Sequence, residues 1–443
     1  MDSRSDVSHA GIGDSRSRRT VVKPAYSARQ LIRRGSSSDG VVGAGRRHRA
    51  DVSLILITLL LTLLGLVVIY AVSPILSHKL VDDVNRNYFM YGQLRNIGVA
   101  LVAFFIFSRI HWSRWRTQLL PLLLIGTGVA LLLMFIPGVA ITEKGATRWV
   151  GLGPLSFQPA ELIKLTVAVL VASWFTRVKD SELANYKLTL WPVVILLGIV
   201  SIFVLIHQKD MGTMLVISSI VVAVFFMSGV RWQQLAILLG AGSAFGLLNI
   251  VLFPHRMERV RTFFSPSENL AETGYHLHQA LIAIGSGGLF GLGLGRSIQV
   301  YGYLPEAAND SIFAIIGEMF GFIGASTIII LFCLLIYRML RVAENAPDRF
   351  SQLLVVGITV WLGMQATVNM MAMLGIIPLT GIPLPFVSYG GSSLVFMLAA
   401  LGIVVNVSKY TVRRPHADRS RRRGQRRAHN THSSRRPSPQ ISS

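Results

Sequence analysis

The run Val52–Val72, VSLILITLLLTLLGLVVIYAV, decides the class of fold to which this chain belongs. It holds 21 residues and no charged side chain. As a helix that rises about 1.5 Å per residue, it would cross a hydrocarbon core about 30 Å thick. The basic stretch 1–51 precedes the run and no cleavage-site pattern follows it. We therefore expect a retained first span and not a removed signal peptide.

Similar apolar runs follow along the chain. They lie near residues 96–110, 118–136, 159–176, 190–206, 211–229, 234–253, 312–337, 353–377 and 392–408. Hydrophobic residues make up 52% of the 443 residues and charged residues only 14%, and the mean hydropathy is +0.54. A soluble domain carries about 25% charged residues. The sequence therefore predicts an all-α integral membrane protein with ten transmembrane helices.

The net charge of +22 comes mainly from the two ends of the chain. Residues 1–52 and 409–443 hold 11 Lys and Arg each, against six acids in the two segments together. Polybasic segments beside a membrane are attracted to anionic lipid by roughly 1 kcal/mol per charge, so this charge does not require a nucleic-acid partner. We expect basic, disordered cytoplasmic tails at 1–51 and 411–443 around a membrane domain at 52–410.

The basic residues also predict the orientation of the spans. If both tails are cytoplasmic, the inside segments hold 32 of the 43 Lys and Arg, as the positive-inside rule expects. The apolar stretch Ala280–Leu294 would add a span and invert everything after it. Its glycines each weaken a helix by about 1 kcal/mol relative to Ala. We therefore expect a re-entrant or surface segment within a long extracytoplasmic loop, 254–311, between helices 7 and 8.

Asp310 stands at the outer mouth of the eighth span. An Asp directly before an apolar run is a common helix N-cap, a role worth about 1 kcal/mol, and the pattern alone favours that role. The alternative is a catalytic carboxylate, because ionisable groups at or inside spans are candidates for function. The two roles compete, since a capping carboxylate is a weaker base.

Several arginines lie in segments expected outside, against the charge asymmetry. Arg256, Arg259 and Arg261 follow the seventh span, and Arg148 lies in the polar segment 137–158. Guanidinium groups bind phosphate oxygens in bidentate fashion, so a lipid phosphate or pyrophosphate would suit them. The alternative is that their long side chains reach the lipid headgroups.

An acid and a base share the start of the fourth span. Glu161 and Lys164 are three residues apart and would lie on one helix face. They form either a structural ion pair or a pair that also lines a substrate cavity. His276 and His278 have no third ligand near them, and the lone Cys333 can build no thiolate cluster, so we expect no dedicated metal site.

Several motifs, in order over roughly 52–410, resemble the SEDS family of membrane glycosyltransferases, the family of FtsW, RodA and SpoVE. They are GATRW at 145–149, QPAELIK at 158–164, DMGT at 210–213, Arg256 and Arg259, GY at 274–275 with Gln279, IGSGG at 284–288, LPE at 304–306 with Asp310, PLTGIPLPF at 378–386 and SYGGSS at 388–393. The chain departs from the family pattern at Lys209, His276, Ala280, Asn309 and Ser311.

The resemblance implies a polymerase of the bacterial cytoplasmic membrane that joins lipid II units into peptidoglycan strands. It implies a class B penicillin-binding transpeptidase and other division proteins as partners, and Asp310 as the catalytic residue. The segment 293–307 is closer to the division branch of the family, which implies a role at the septum. The candidates for binding substrate or pyrophosphate are Arg148, Glu161, Lys164, Asp210, Arg256, Arg259, Gln279 and Ser388.

Cofactor use and two other functions stay open. The sequence identifies no cofactor with certainty, although a Mg²⁺ or Mn²⁺ ion could be shared by a carboxylate and the substrate pyrophosphate. A transporter that flips lipid-linked precursors would use Glu161, Lys164 and Asp210 in a gated cavity. A non-catalytic scaffold for division proteins would need only the membrane domain and its basic tails.

Overall fold

The structure, a computed structural model, describes residues 48–80, 87–143, 146–152, 155–265 and 273–411. The expected tails lie outside the described residues except for 48–51 and 411. The helices and strands are α1 (Val52–Leu80), α2 (Tyr88–Arg109), α3 (Trp112–Leu133), β1 (Ala140–Glu143), β2 (Ala146–Leu152), β3 (Leu155–Phe157), α4 (Pro159–Arg177), α5 (Leu190–His207), α6 (Met211–Met227), α7 (Trp232–Leu252), α8 (Pro254–Phe264), α9 (Thr273–Ser286), α10 (Ile312–Glu344), α11 (Arg349–Met373) and α12 (Gly391–Ser408).

Ten of these helices coincide with the ten expected spans. Among the described residues, nine of them are at least 18 residues long and apolar enough to cross a membrane. The tenth, α6, has 17 residues and is also apolar. The all-α multi-pass fold is therefore confirmed. Helix α2 begins at Tyr88, before the expected start at 96, because Tyr91, Gln93 and Arg95 lower the hydropathy of its first turns.

The loops that the sequence assigned to the inside meet at one end of the bundle. The backbone N–H of His48 donates to the carbonyl of Lys409 at 2.7 Å, so the segment before α1 and the end of α12 are neighbours. On the same face, Arg349 Nη1 lies 2.9 Å from Asp180 Oδ1. This arrangement agrees with an even number of spans.

Helices α4, α11 and α12 form the centre of the bundle. About four fifths of the apolar window of each is buried in protein, 78%, 78% and 83% respectively. The corresponding share is 17% for α2, 11% for α3 and 17% for α7, so these helices face lipid. Polar side chains on α4 and α11 therefore lie in the protein interior and need partners there.

The outer segment between α3 and α4 folds into a small antiparallel sheet, which the sequence did not predict. Its order is β1-β2-β3, with Ala140 opposite Val150 and Val150 opposite Phe157. A register shift lies between Ile141 and Thr142. Strands of three to seven residues are too short to show a clear hydrophobic period in the sequence. The sheet carries Arg148 on β2.

The segment 280–294, expected as a re-entrant or surface segment, divides in the structure. Residues 280–286 complete α9, and the glycine-rich stretch that follows packs against α10. Helix α10 is broken at Gly321, which has φ 64° and ψ −159°. At this break the N–H of Leu292 donates to the carbonyl of Glu318 at 2.9 Å. A Cβ atom on Gly287 would overlap the carbonyl oxygen of Gly317. The described residues of the loop 254–311 thus include the helices α8 and α9 and a turn inserted at the break in α10.

Candidate functional site

Asp310 is not the N-cap of α10. The helix begins at Ile312 and Ser311 occupies the N-cap position. The interpretation of Asp310 as a capping residue, which the pattern alone favoured, is therefore wrong. The physical reason is that the turn before the helix extends one residue further than the apolar pattern indicates, so that Asp310 precedes the cap.

The backbone at Asp310 is fixed from α11 by Asn369, a residue that the sequence analysis missed. The Asn369 amide donates to the carbonyl of Asp310 at 2.7 Å and to the carbonyl of Ile382 at 2.8 Å. Gly381 has φ +71°, and a Cβ atom there would lie 3.7 Å from Asp310 Oδ2. The loop 376–390 is thus held directly against the Asp310 carboxylate.

Arg259 on α8 brings four of the expected site residues into one electrostatic cluster. Removal from water and the neighbouring Arg148 lower the pKa of the Arg259 guanidinium, while Asp210 and Asp310 act in the opposite direction. The charges of Arg148, Asp210 and Asp310 therefore all act on the Arg259 guanidinium. The Arg259 Nη1 atom also donates to the carbonyl of Leu379 at 3.4 Å.

Arg256 is held in the interior beside this cluster. It is 3% exposed, its guanidinium lies 4.5 Å from the Phe253 ring centroid, and its Nη2 donates to the carbonyl of Leu205 at 2.6 Å. That carbonyl belongs to the π-helical end of α5, residues 202–207. Burial and the neighbouring Arg259 lower the pKa of Arg256. Within the described part of the chain, its Nε and Nη1 atoms are buried without a hydrogen-bond partner.

Arg148 connects the sheet to the turn before α6. Its Nε donates to the carbonyl of Gln208 at 3.1 Å and its Nη2 to that of Lys209 at 3.3 Å. Lys209 has φ +52°, a left-handed backbone conformation that is uncommon for a residue with a side chain. Asp210 then caps α6, since its Oδ1 and Oδ2 accept from the N–H and hydroxyl of Thr213, both at 2.8 Å.

Glu161 and Lys164 form an interior ion pair. Lys164 Nζ lies 2.8 Å from Glu161 Oε1 and 2.9 Å from Gln365 Oε1, and it stands 5.2 Å from the centroid of the Trp361 ring. The two charged side chains are 1% and 3% exposed. Gln365 in turn donates to the carbonyl of Pro383 at 3.1 Å. The pair joins α4 to α11, which is the structural role that the sequence left as one alternative.

Ser388 and Gln279 differ in burial. Ser388 is 5% exposed, and its hydroxyl accepts from the N–H of Leu384 at 2.8 Å, which closes the turn 384–388. Gln279 lies half-buried on α9. Ser388 therefore stabilises the loop that faces Asp310, and Gln279 lies on a helix that packs against α10.

Glu318 on α10 fixes the segment 297–299, a role that the sequence did not predict. It is fully buried in α10, and its carboxylate accepts from the hydroxyl of Ser297 and from the N–H groups of Ile298 at 2.8 Å and Gln299 at 3.3 Å. An ionisable residue inside an apolar run is itself a signal of function or structure. That signal was present in the sequence at Glu318.

A cavity of about 440 Å³ lies beside the cluster, between the outer ends of α3, β2 and α5. It is lined by Phe135, Thr147, Ile202, Phe203, Ile206, His207 and Lys209. Its wall joins apolar side chains to the polar turn that Arg148 holds.

The arrangement combines a carboxylate with guanidinium groups at the end of a membrane bundle. A carboxylate can accept a proton, and the cations can stabilise negative charge that develops on a phosphate. Among the described residues, His, Cys, Asp and Glu form no group of three that could hold a metal ion.

The model of the cell cycle protein family FtsW/RodA/SpoVE matches residues 51–413. The chain belongs to this family. This chain is 36% identical over 369 residues to stage V sporulation protein E of Bacillus subtilis, and the match covers 83% of this chain and 99% of that protein. It is 37% identical over 365 residues to a probable peptidoglycan glycosyltransferase FtsW of Nitrosomonas europaea, covering 81% and 92%.

Solved structures of this family share the fold. One match is a chain from a peptidoglycan synthase complex that was solved to explain the structural coordination of polymerization and crosslinking. It gives a TM-score of 0.64 at 27% identity, and the match covers 81% of this chain and 97% of that one. The rod shape determining protein RodA of Thermus thermophilus gives 0.57 at 27% identity, covering 82% and 98%. The resemblance found in the motifs is therefore confirmed at the level of the family and the fold.

Proposed function

We propose that this chain is a peptidoglycan glycosyltransferase that polymerises lipid II into glycan strands. The observation that carries the proposal is the position of Arg259 at one end of a ten-helix bundle. Arg259 donates to Leu379 in the loop that lies against the Asp310 carboxylate, and the charges of Arg148, Asp210 and Asp310 act on it. Relatives that align over most of their length are named probable peptidoglycan glycosyltransferase FtsW, which supports the same reaction.

In the proposed reaction Asp310 is the general base. It takes the proton of an acceptor sugar hydroxyl while the hydroxyl oxygen attacks the anomeric carbon of a second lipid-linked sugar. The bond from that carbon to the pyrophosphate oxygen breaks, and the lipid pyrophosphate leaves with the electron pair. An ionised carboxylate within hydrogen-bond reach of a hydroxyl can accept its proton.

Arg259 and Arg148 stabilise the leaving pyrophosphate in this proposal. The pyrophosphate gains negative charge in the transition state, and preorganised cations nearby lower the barrier. Arg256, with its two buried donor atoms, supports the same region from α8. Glu161 and Lys164 act at a distance by holding α4 against α11, and Asp210 acts by fixing the start of α6.

A divalent ion could assist the same step. The two Asp210 oxygens already accept hydrogen bonds from Thr213, so a Mg²⁺ or Mn²⁺ ion would be held by Asp310 and by the substrate phosphates. Bound there, the ion would neutralise pyrophosphate charge.

The proposed sidedness puts Asp310 outside the cell and both chain ends in the cytoplasm. The neighbouring positions of His48 and Lys409, at the basic end of the bundle, support this orientation. We propose the division septum as the location and a class B penicillin-binding transpeptidase, with other division proteins, as partners. The matching peptidoglycan synthase complex coordinates polymerization with crosslinking, which favours a transpeptidase as the partner of this chain.

The transporter alternative gains no support from the Glu161–Lys164 pair. A gated cavity would need these charges to face a passage, yet both are at most 3% exposed and are closed off by Trp361 and Gln365. The scaffold alternative predicts that loss of the Asp310 carboxylate has no effect on growth.

The test is polymerisation of purified lipid II by the purified chain, with and without its transpeptidase, across an EDTA and divalent-ion series. Glycan strands are expected from the wild type and none from Asp310→Asn. Asp180→Asn, which changes an acid at the opposite end of the bundle, is the matched control and should keep activity. Strand synthesis by Asp310→Asn at the wild-type rate would remove Asp310 from the mechanism, and relocation of lipid II without polymer would favour the transporter.

A further inference from the structure

Ser311 occupies the N-cap position of α10 but does not cap the helix. A serine there normally accepts a backbone N–H of the first turn, which is worth about 1 kcal/mol. In this chain no side-chain cap bond is present at α10, and the Ser311 hydroxyl points back along the chain to the carbonyl of Pro305, at 2.8 Å. The hydroxyl thus closes the turn that carries Asp310.

The direction of the bonds around Ser311 follows from their chemistry. The Pro305 carbonyl can only accept, so the Ser311 hydroxyl must donate to it. The Ser311 Oγ atom can then accept from His276 Nε2, which lies 2.6 Å away on α9. His276 therefore carries a proton on Nε2, and one chain of bonds runs from His276 through Ser311 to Pro305.

The turn between Pro305 and Ser311 is closed by backbone hydrogen bonds. Glu306 has φ +49°, and its carbonyl accepts from the N–H groups of Asn309 at 2.9 Å and Ser311 at 3.3 Å. The N–H of Tyr389 donates to the carbonyl of Ala308 at 2.8 Å, which ties the turn to the opposite loop. A shift of Ser311 would therefore move the carboxylate of the residue before it.

We propose that His276 and Ser311 are positioning residues for Asp310, acting through the bond chain His276–Ser311–Pro305. This inference rests on the proposed function. His276 holds Ser311 from α9, Ser311 closes the turn, and the closed turn sets the direction of the Asp310 carboxylate toward the acceptor hydroxyl. Neither residue needs to touch the substrate.

The test measures kcat and KM for lipid II in a matched set of variants of the full chain. His276→Leu keeps a similar volume and removes the donor, whereas His276→Gln keeps an N–H donor on a side chain of similar reach. We expect His276→Leu to lower kcat about tenfold with KM nearly unchanged, and His276→Gln to restore most of it. His278→Leu, on an exposed position of the same helix, is the control and should resemble the wild type.

A double variant tests whether the two residues act as one unit. Ser311→Ala alone should lower kcat by a similar factor, and Ser311→Ala combined with His276→Leu should be no worse than Ser311→Ala, because the chain is already broken. Additive losses would contradict the proposal. Three further results would also contradict it: an effect of His276→Leu on KM alone, a wild-type kcat in His276→Leu, or a kcat of His276→Gln as low as that of His276→Leu.

Hydrogen exchange gives a second measurement that does not depend on activity. Peptides covering 304–313 should exchange faster in His276→Leu than in the wild type, and at the wild-type rate in His278→Leu. Unchanged exchange in His276→Leu would overturn the positioning role even if kcat fell. If the wild type forms no strands while exchange responds as expected, the proposed function fails and the bond chain stands as a structural tie.

Discussion

The side-chain amide of Asn369 lies 2.7 Å from the carbonyl oxygen of Asp310, and the same nitrogen lies 2.8 Å from that of Ile382. One buried amide on α11 therefore joins the turn before α10 to the loop 376–390. Both loops face the proposed reaction, so this amide sets the distance between the base and the opposite wall of the site.

Asn369→Leu should lower the polymerisation rate at least tenfold and reduce the free energy of unfolding. The two carbonyls would lose their shared donor, and a buried polar group without a partner costs about 1–3 kcal/mol. The measurements are strand synthesis from lipid II and thermal unfolding in detergent. Asn345→Leu removes a similar amide-to-carbonyl bond at the opposite end of α10, where the donor lies 2.8 Å from the Arg341 carbonyl, and it should leave the rate unchanged.

Lys164→Met should lower the free energy of unfolding by about 3–5 kcal/mol, because Glu161 would remain charged and buried without its partner. Combining Lys164→Met with Glu161→Gln should recover part of that loss, since no uncompensated charge is left. Thermal unfolding of the two variants in the same detergent provides the comparison. A double variant less stable than Lys164→Met would argue against an interior ion pair.

Arg256 and Arg259 should respond differently to the same substitution. Arg256→Met removes a 2.6 Å bond to the Leu205 carbonyl, so both the unfolding temperature and kcat should fall. Arg259→Met removes a cation near Asp310 and should lower kcat with little change in unfolding temperature. Equal effects of the two substitutions on stability would contradict the assignment of Arg256 to the interior.

Gly287→Ala should destabilise the turn that fits the break in α10. A Cβ atom there would overlap the Gly317 carbonyl, and overpacking of this kind costs about 1–3 kcal/mol. Gly285→Ala is the control, since a Cβ atom there meets nothing within 4 Å and Ala favours a helix by up to about 1 kcal/mol. An unfolding temperature of Gly285→Ala below that of Gly287→Ala would contradict the close packing of Gly287 against the Gly317 carbonyl.

The ten spans and the family could be predicted from the sequence, because both depend on local patterns. Partition into lipid follows from composition and length over about 20 residues, and the motifs around Asp310 and 378–393 are contiguous. The loop 254–311 was also a prediction, and the glycines of 280–294 argued against an added span there, because each glycine weakens a helix. Helix α9 was not predicted within this loop. The short sheet at 140–157 and the helix α8 were not expected, because strands this short and a polar 11-residue helix leave weak periodic signals.

The partners of the polar side chains were decided by the tertiary structure alone. Lys164 and Gln365 are 201 positions apart, and Asn369 meets Asp310 across 59 positions. The sequence determined which residues carry charge and which segments enter the membrane, because each residue brings its own hydration free energy. Whether Asp310 caps a helix or faces Arg259, and whether Lys164 lines a cavity or lies sealed, depended on how the helices pack, since a hydrogen bond requires two groups within about 3 Å.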